Sequence, residues 1–248
     1  MTDTAQTPST GFPCEAFAYF EGLDADNSKE YFRLHRDEYD HAVHQPMLEL
    51  AAVLSPEFGN VTVLRPQRDT RVSNDKSPYK SYEGAYVDIA QSLGFWVHLD
   101  VSGLYVSGRF YPHTAAKLNR YRATVDEDAD GTSLAALVAE LRADGFTIGG
   151  DQLKTGPRGV PADHPRIDLL CHRTFDVGRI FSREPGAGLP DPASAVRETW
   201  RAVRPFLDCL FDLESSMVYS DAGAVRRVAG SARAPGFARA KARIAAGK

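Results

Sequence analysis

Between Tyr82 and Tyr111 the chain offers three strand-like runs in close succession, Tyr82 to Ile89, Phe95 to Val101 and Leu104 to Tyr111. The joints between them are short, and Ser102-Gly103 suits a two-residue hairpin turn, so these strands run antiparallel. Upstream, Asn60 to Leu64 is short and rich in β-branched residues, and downstream Phe175 to Phe181 has the make-up of a last strand. The expected fold class is therefore α+β: a single domain with an antiparallel sheet of four to six strands packed by helices.

The helices are legible from caps and spacing. Pro13 suits a first helical turn, and Phe17, Phe20 and Leu23 then share a face. Asn27 or Ser28 caps a longer helix toward Leu54, with Phe32, Tyr39, Val43, Met47, Leu50 and Leu54 in one stripe and a kink expected at Pro46. Thr114 and Thr132 open two more, the second stopped at Gly145, and His164-Pro165 begins a helical turn toward His172. Asp191-Pro192 is a strong start for a last helix carrying Val196, Trp200, Val203, Phe206, Leu207 and Leu210, interrupted at Pro205.

Composition sets the outer limits. At 248 residues with 43% hydrophobic side chains, the chain can bury a sizeable core, and no apolar run approaches the roughly 18 residues that span a bilayer. Residues 1–11 read as a disordered polar lead without signal-peptide layout, which points to the cytoplasm. The three cysteines, Cys14, Cys171 and Cys209, are widely spaced and read as buried free thiols. Residues 12–213 form the expected domain and 214–248 a basic tail: after Asp221 there is no acid, while Arg226, Arg227, Arg233, Arg239, Lys241, Arg243 and Lys248 follow. Such a tail suits nucleic acid or an acidic partner, although Phe237 is its only aromatic residue after Tyr219.

Against this background one polar stretch stands out, Arg68 to Lys80, with Arg68, Arg71, Lys76 and Lys80 alongside Asp69 and Asp75. Arginine supplies bidentate donors to phosphate or carboxylate and lysine a point charge, while Pro78 stiffens the return of the loop. An equally weighted reading makes it a salt-bridged staple with no ligand. A second polar loop, Phe146 to Asp163, carries Lys154 and Arg158 and leads to His164. If the two loops met, the six cations would bind an anionic small molecule, and Asp69 or Asp75 as base with His164 as acid would be the catalytic constellation.

Other patterns weigh less. Ser73 with Lys76, and Ser77 with Lys80, match S-x-x-K, but turn-forming neighbours place neither pair on a helix, so serine acyl transfer is not expected. Asp37, Glu38, His41 and His44 have metal-ligand spacing, yet Asp37, His41 and His44 fall opposite the apolar stripe and read as a solvated face, with no metal expected. His98 shares strand parity with Trp96 and Asp100, so a carboxylate lies beside it on one face. No dinucleotide, P-loop or zinc-ribbon fingerprint is present, so common nucleotide folds receive no support and any cofactor is unknown from the sequence.

The order Arg68-Asp69-Thr70-Arg71, Ser73, Asp75-Lys76-Ser77-Pro78-Tyr79-Lys80 resembles a family of conserved hypothetical proteins from bacteria and fungi, a domain of unknown function. Asn27, Phe32 and Tyr39, and later Leu153-Lys154, Pro157-Arg158-Gly159 and His164-Pro165, extend the resemblance over roughly Phe12 to Leu213. Val72, Asn74 and Ser107-Gly108-Arg109 depart from the pattern, and Arg109 adds a local cation. The resemblance implies membership and raises the weight of both polar loops, but it transfers no activity. The expectation is an anion-binding pocket, phosphate-bearing ligands being the best fit; nucleic-acid or acidic-partner binding and the structural staple are the alternatives.

Overall fold

The structure, a computed structural model, describes residues 11–215 apart from 72–73, 184–187 and 190. The expected lead, most of the tail and much of the linker before Asp191 thus lie outside the described residues. Six strands form one antiparallel sheet: β1 (Thr62–Val63), β2 (Glu83–Ala90), β3 (Leu93–Asp100), β4 (Gly103–Phe110), β5 (Thr147–Gly149) and β6 (Phe175–Ser182), in the order β1-β2-β3-β4-β6-β5. This is the α+β architecture expected. The β3–β4 turn falls one residue earlier than anticipated, because Asp100 pairs with Gly103 and Val101-Ser102 form the bend. Gly103 has φ +129°, and a Cβ there would lie 2.2 Å from the Phe181 carbonyl, so the turn requires glycine.

Eight helices flank the sheet among the described residues: α1 (Cys14–Ala25), α2 (Lys29–Leu34), α3 (Arg36–Glu38), α4 (Gln45–Phe58), α5 (Ala115–Asp126), α6 (Asp128–Ala143), α7 (Ile167–Cys171) and α8 (Pro192–Ser215). The core lies between helices and the sheet face bearing Phe95, Val97, Val106, Phe110 and Val177, all buried. Trp200 of α8 stacks on Phe95 at 5.1 Å and donates its indole N–H to the Trp96 carbonyl at 3.3 Å. Beside it, Val203 and Leu207 close over Gly108, where a Cβ would sit 3.0 Å from each. Pro205 lies within α8 and does not end it, since Phe206, Leu207 and Leu210 continue the buried stripe.

The long helix expected from Ser28 to Leu54 is broken. Ser28 does cap α2, accepting from the Tyr31 N–H at 3.0 Å, but His35 (φ −104°, ψ 22°) leaves helical geometry, and Tyr39–His44 is a π-helical turn before α4. The cause is local. Pro46 has no N–H to return to the Ala42 carbonyl, and its ring crowds that group, so the preceding turn widens. The wider turn also shifts the angular position of the residues in it. Helix α6 likewise begins at Asp128, ahead of the expected Thr132. Of the cysteines, Cys14 is exposed and Cys171 and Cys209 are partly buried, so the buried-thiol expectation fails for Cys14.

Candidate functional site

The Arg68–Lys80 stretch is pinned from both ends. Its backbone closes through Arg68 N–H to the Pro78 carbonyl (2.8 Å) and Lys80 N–H to the Pro66 carbonyl (2.9 Å). From outside, the Asn27 amide clamps Tyr79, donating to its carbonyl at 3.2 Å and accepting from its N–H at 3.1 Å, while the Tyr79 ring stacks on Phe32 at 4.1 Å. Asn27 thus serves the loop and leaves the helix cap to Ser28.

Within the loop each expected anion ligand already has a partner. Arg68 donates to the Tyr79 carbonyl and pairs with Asp75 at 3.0 Å. Arg71 grips Asp69 through Nε (3.0 Å) and Nη2 (2.9 Å), and this holds the exposed Asp69 carboxyl down at about 2. So acidic a group is a weak proton acceptor. Asp75 accepts from the Ser77 N–H and hydroxyl, which lowers its pKa as well. Lys76 donates to the Thr70 carbonyl at 2.6 Å, and Lys80 to the carbonyls of Arg65 and Gln67. Burial pushes the Lys80 ammonium down to about 8, with Arg65 and Arg68 adding to the shift and Glu83 opposing it. The Ser77 hydroxyl faces Asp75 rather than Lys80, in keeping with the turn geometry read from the sequence; Ser73 is outside the described residues.

The second loop lies elsewhere. The first leaves the sheet from β1 at one edge and returns at Glu83, beside Leu99; the second leaves from β5 at the opposite edge, where Gly149 pairs with Asp176. The structure therefore does not bring Arg68, Arg71, Lys76 and Lys80 together with Lys154, Arg158 and His164. Nor does Asp69 or Asp75 meet His164, whose Nε2 stands 3.3 Å from Asp126 and whose Nδ1 accepts from the Arg166 N–H.

The second loop finds a different companion in α5. Arg158 joins Asn119, Arg122, Asp126, Pro157 and Val160 around a cleft of about 350 Å³. Arg122 donates Nε to the Leu170 carbonyl at 3.2 Å, but its Nη2 is buried with no hydrogen-bond partner. Arg158 makes no ion pair or side-chain hydrogen bond among the described residues and is exposed; Lys154 is exposed and lies outside the cleft lining. Arg166 ties this corner down from below, giving Nε to Val125 O and Nη2 to Asp126 O (2.8 Å each) and reaching Asp128 at 3.1 Å. Gly131 makes room for it, since a Cβ there would lie 2.6 Å from the Arg166 Nε. A larger cleft of about 630 Å³ is lined by Cys14, Glu15, Glu21 and Arg183, but there the one cation already pairs with Glu21.

A third polar cluster escaped the sequence reading. Glu83, 1% exposed, shares the core-facing parity of Ala85 and Val87, and it accepts from Tyr39 Oη at Oε2 (3.0 Å) and from His44 Nδ1 at Oε1 (2.8 Å). The helical wheel placed His44 on the solvated face with Asp37 and His41. Those two are exposed, but the π turn brings His44 round to Glu83, leaving its side chain 32% exposed. The signal available in the sequence was Pro46, two residues downstream. The bond to Glu83 raises the His44 pKa, with burial opposing the shift. A raised folded-state value stabilises the fold while His44 is protonated, fully below its unfolded value of about 6.5. We expect the stability advantage of the parent over His44→Ala to shrink as pH rises through the folded His44 pKa, read by urea unfolding between pH 5 and 9; a pH-independent difference would refute the pairing.

On the other face of the sheet, Trp96 donates to His98 Nδ1 (2.8 Å), and His98 Nε2 lies 3.5 Å from Asp100, as strand parity required. Arg109 sits over the Trp96 ring at 4.2 Å and pairs with Asp176 at 2.9 Å, so its charge is neutralised within the face. Among the described residues no helix is long and apolar enough to cross a membrane.

No curated protein and no solved structure matches the chain. The family comparison does: the model for a conserved hypothetical protein family, DUF2461, matches residues 15–208, spanning the clamped loop, the cleft and the Glu83 cluster alike. The chain belongs to that family.

Proposed function

We propose that the protein binds a small anion, a phosphate-bearing one by preference, in the cleft between α5 and the Pro157–Val160 segment. The observation that carries this reading is Arg122, a partly buried side chain whose Nη2 is buried without a partner, in a cleft that a second arginine, Arg158, also lines. An unsatisfied buried donor on a charged group costs more than about 1 kcal/mol, and an anion seated between the two guanidinium groups offsets that cost. Asp126 opposes an anion here, but its carboxylate is shared with His164. The Arg68–Lys80 loop supplies less support, because its cations are spent on Asp69, Asp75 and backbone carbonyls.

The test is thermal unfolding in inorganic phosphate or pyrophosphate against chloride at matched ionic strength. A ligand at 100 times its Kd stabilises by about 2.7 kcal/mol, a shift of several degrees for a domain of this size. Arg158→Ala should lose that shift, and an Arg71→Ala, Lys80→Ala double variant should keep it. The opposite pattern would move the site to the first loop, and no shift in the parent protein would end the anion reading.

A further inference from the structure

We propose that His44 is a reactive imidazole, a nucleophile at Nε2 toward small acyl compounds, and that Glu83 with Tyr39 is the positioning pair that makes it so. Three observations independent of the anion cleft carry this. First, the Nδ1 side of the ring is committed: it lies 2.8 Å from a fully buried carboxylate oxygen, so Nδ1 carries the proton and Nε2 keeps its lone pair. A buried carboxylate behind an imidazole fixes the tautomer, the ring plane and the basicity, as second-sphere carboxylates do behind catalytic and metal-bound histidines. Glu83 is itself held, its other oxygen accepting from Tyr39 at 3.0 Å.

Second, the ring is not sealed in. Its side chain is 32% exposed, against 1% for Glu83, so part of it reaches solvent while the carboxylate behind it does not. A histidine serving only to neutralise a buried acid needs no such opening. Third, the cluster contains a polar atom with nothing to bond: the Tyr19 hydroxyl is buried and without a partner, on a ring 5.5 Å from that of Tyr39 and within the field of Glu83. An orphan hydroxyl on a ring of the same cluster leaves hydrogen-bonding capacity unused next to Tyr39. All of this hangs on a π turn, an element that costs helical hydrogen bonding and recurs where a side chain must be re-aimed for function.

In the acyl step the Nε2 lone pair forms a bond to the acyl carbon, and the leaving group departs with the electrons of its broken bond. The resulting acyl-imidazolium keeps its Nδ1 proton toward Glu83, whose charge offsets the positive ring. Water then adds to the acyl carbon and gives up one proton to solvent or to the departed leaving group, the C–N bond breaks with its electrons returning to Nε2, and a carboxylic acid and the neutral imidazole are released. The charged and titratable groups facing the ring are Glu83 from β2 and Tyr39, Asp40 and Arg36 from its own helical segment.

The probe is diethyl pyrocarbonate on the full chain, with sites assigned by peptide mapping across pH 6 to 9. His44 should acylate about tenfold faster per neutral imidazole than exposed His41 of the same helical segment. Glu83→Gln should cut that rate about tenfold and move its pH midpoint down, while leaving His41 unchanged. A rate at or below that of His41 in the parent protein overturns the proposal, and this comparison needs no variant to fold. If Glu83→Gln does not fold, Tyr39→Phe takes its place, expected to lower the rate severalfold; an unchanged rate and midpoint in a folded variant would leave Glu83 and Tyr39 structural and would equally refute the assignment.

Discussion

Trp200→Ala is expected to lower stability by about 3–5 kcal/mol, the largest effect of any single substitution considered for this chain. The side chain is fully buried, stacks on Phe95 at 5.1 Å, meets Phe58 edge-on at 5.1 Å and bonds the Trp96 carbonyl. Truncation removes the ring that joins α4, α8 and the centre of the sheet, and it leaves a cavity that none of these rigid elements can fill. For a domain of this size the loss corresponds to a fall in Tm of roughly 6–20 °C. A fall of less than 3 °C would mean that α8 does not dock as described. Trp200→Phe should recover more than half of the loss, since most of the buried area returns and only the indole bond is missing.

Arg166→Ala should come next, at about 3 kcal/mol, and for a different reason. Here the loss is polar: the side chain satisfies the last carbonyls of α5 at Val125 and Asp126 and pairs with Asp128 in the first turn of α6. Removing it leaves buried acceptors empty at the joint of two helices, where each lost charge-assisted bond weighs about 1.5–3 kcal/mol. The same joint carries Asp126 and, through the backbone, His164, so phosphate stabilisation should vanish together with the stability. Arg166→Lys is expected to recover only a minor part, because an ammonium cannot hold two diverging carbonyls with one planar fork. Denaturant unfolding with and without phosphate reads both effects; an intact phosphate response in the alanine variant would uncouple the loop from this anchor.

How much of this was legible in the sequence depended on whether the cause was local. The hairpin β3–β4, the Thr114 and Asp191 caps, and the buried stripe of α8 all follow from residues within one or two turns of each other. The order β4-β6-β5 does not, because insertion of β6 between its neighbours is decided by packing across more than sixty positions. That is also why the pairing of the two polar loops misled: each has the chemistry of an anion site, but composition says nothing of which corner of a sheet a loop leaves. Arg122 was invisible for the converse reason, as one arginine on an amphipathic helix looks like any other solvated cation. His44 was misplaced because the wheel assumed an α-helical period through Tyr39–His44, and the missing N–H of Pro46 cancels that period. Asn27, one of two residues read as the cap that Ser28 supplies, is a tertiary clamp whose partner lies 52 residues on.

The place of β6 in the sheet has a temporal meaning as well. Until Phe175–Ser182 has been synthesised, β4 has one bare hydrogen-bonding edge and the three residues of β5 have no strand to join. The hairpins up to Phe110 can assemble as they emerge, but the sheet closes only when a late segment slips between an early strand and an intermediate one. A ribosome-bound chain ending near residue 170 would therefore display the bare edge of β4 along its whole length, the form of nascent chain that chaperones and proteases recognise, whereas in one extended past β6 and α8 that edge is paired.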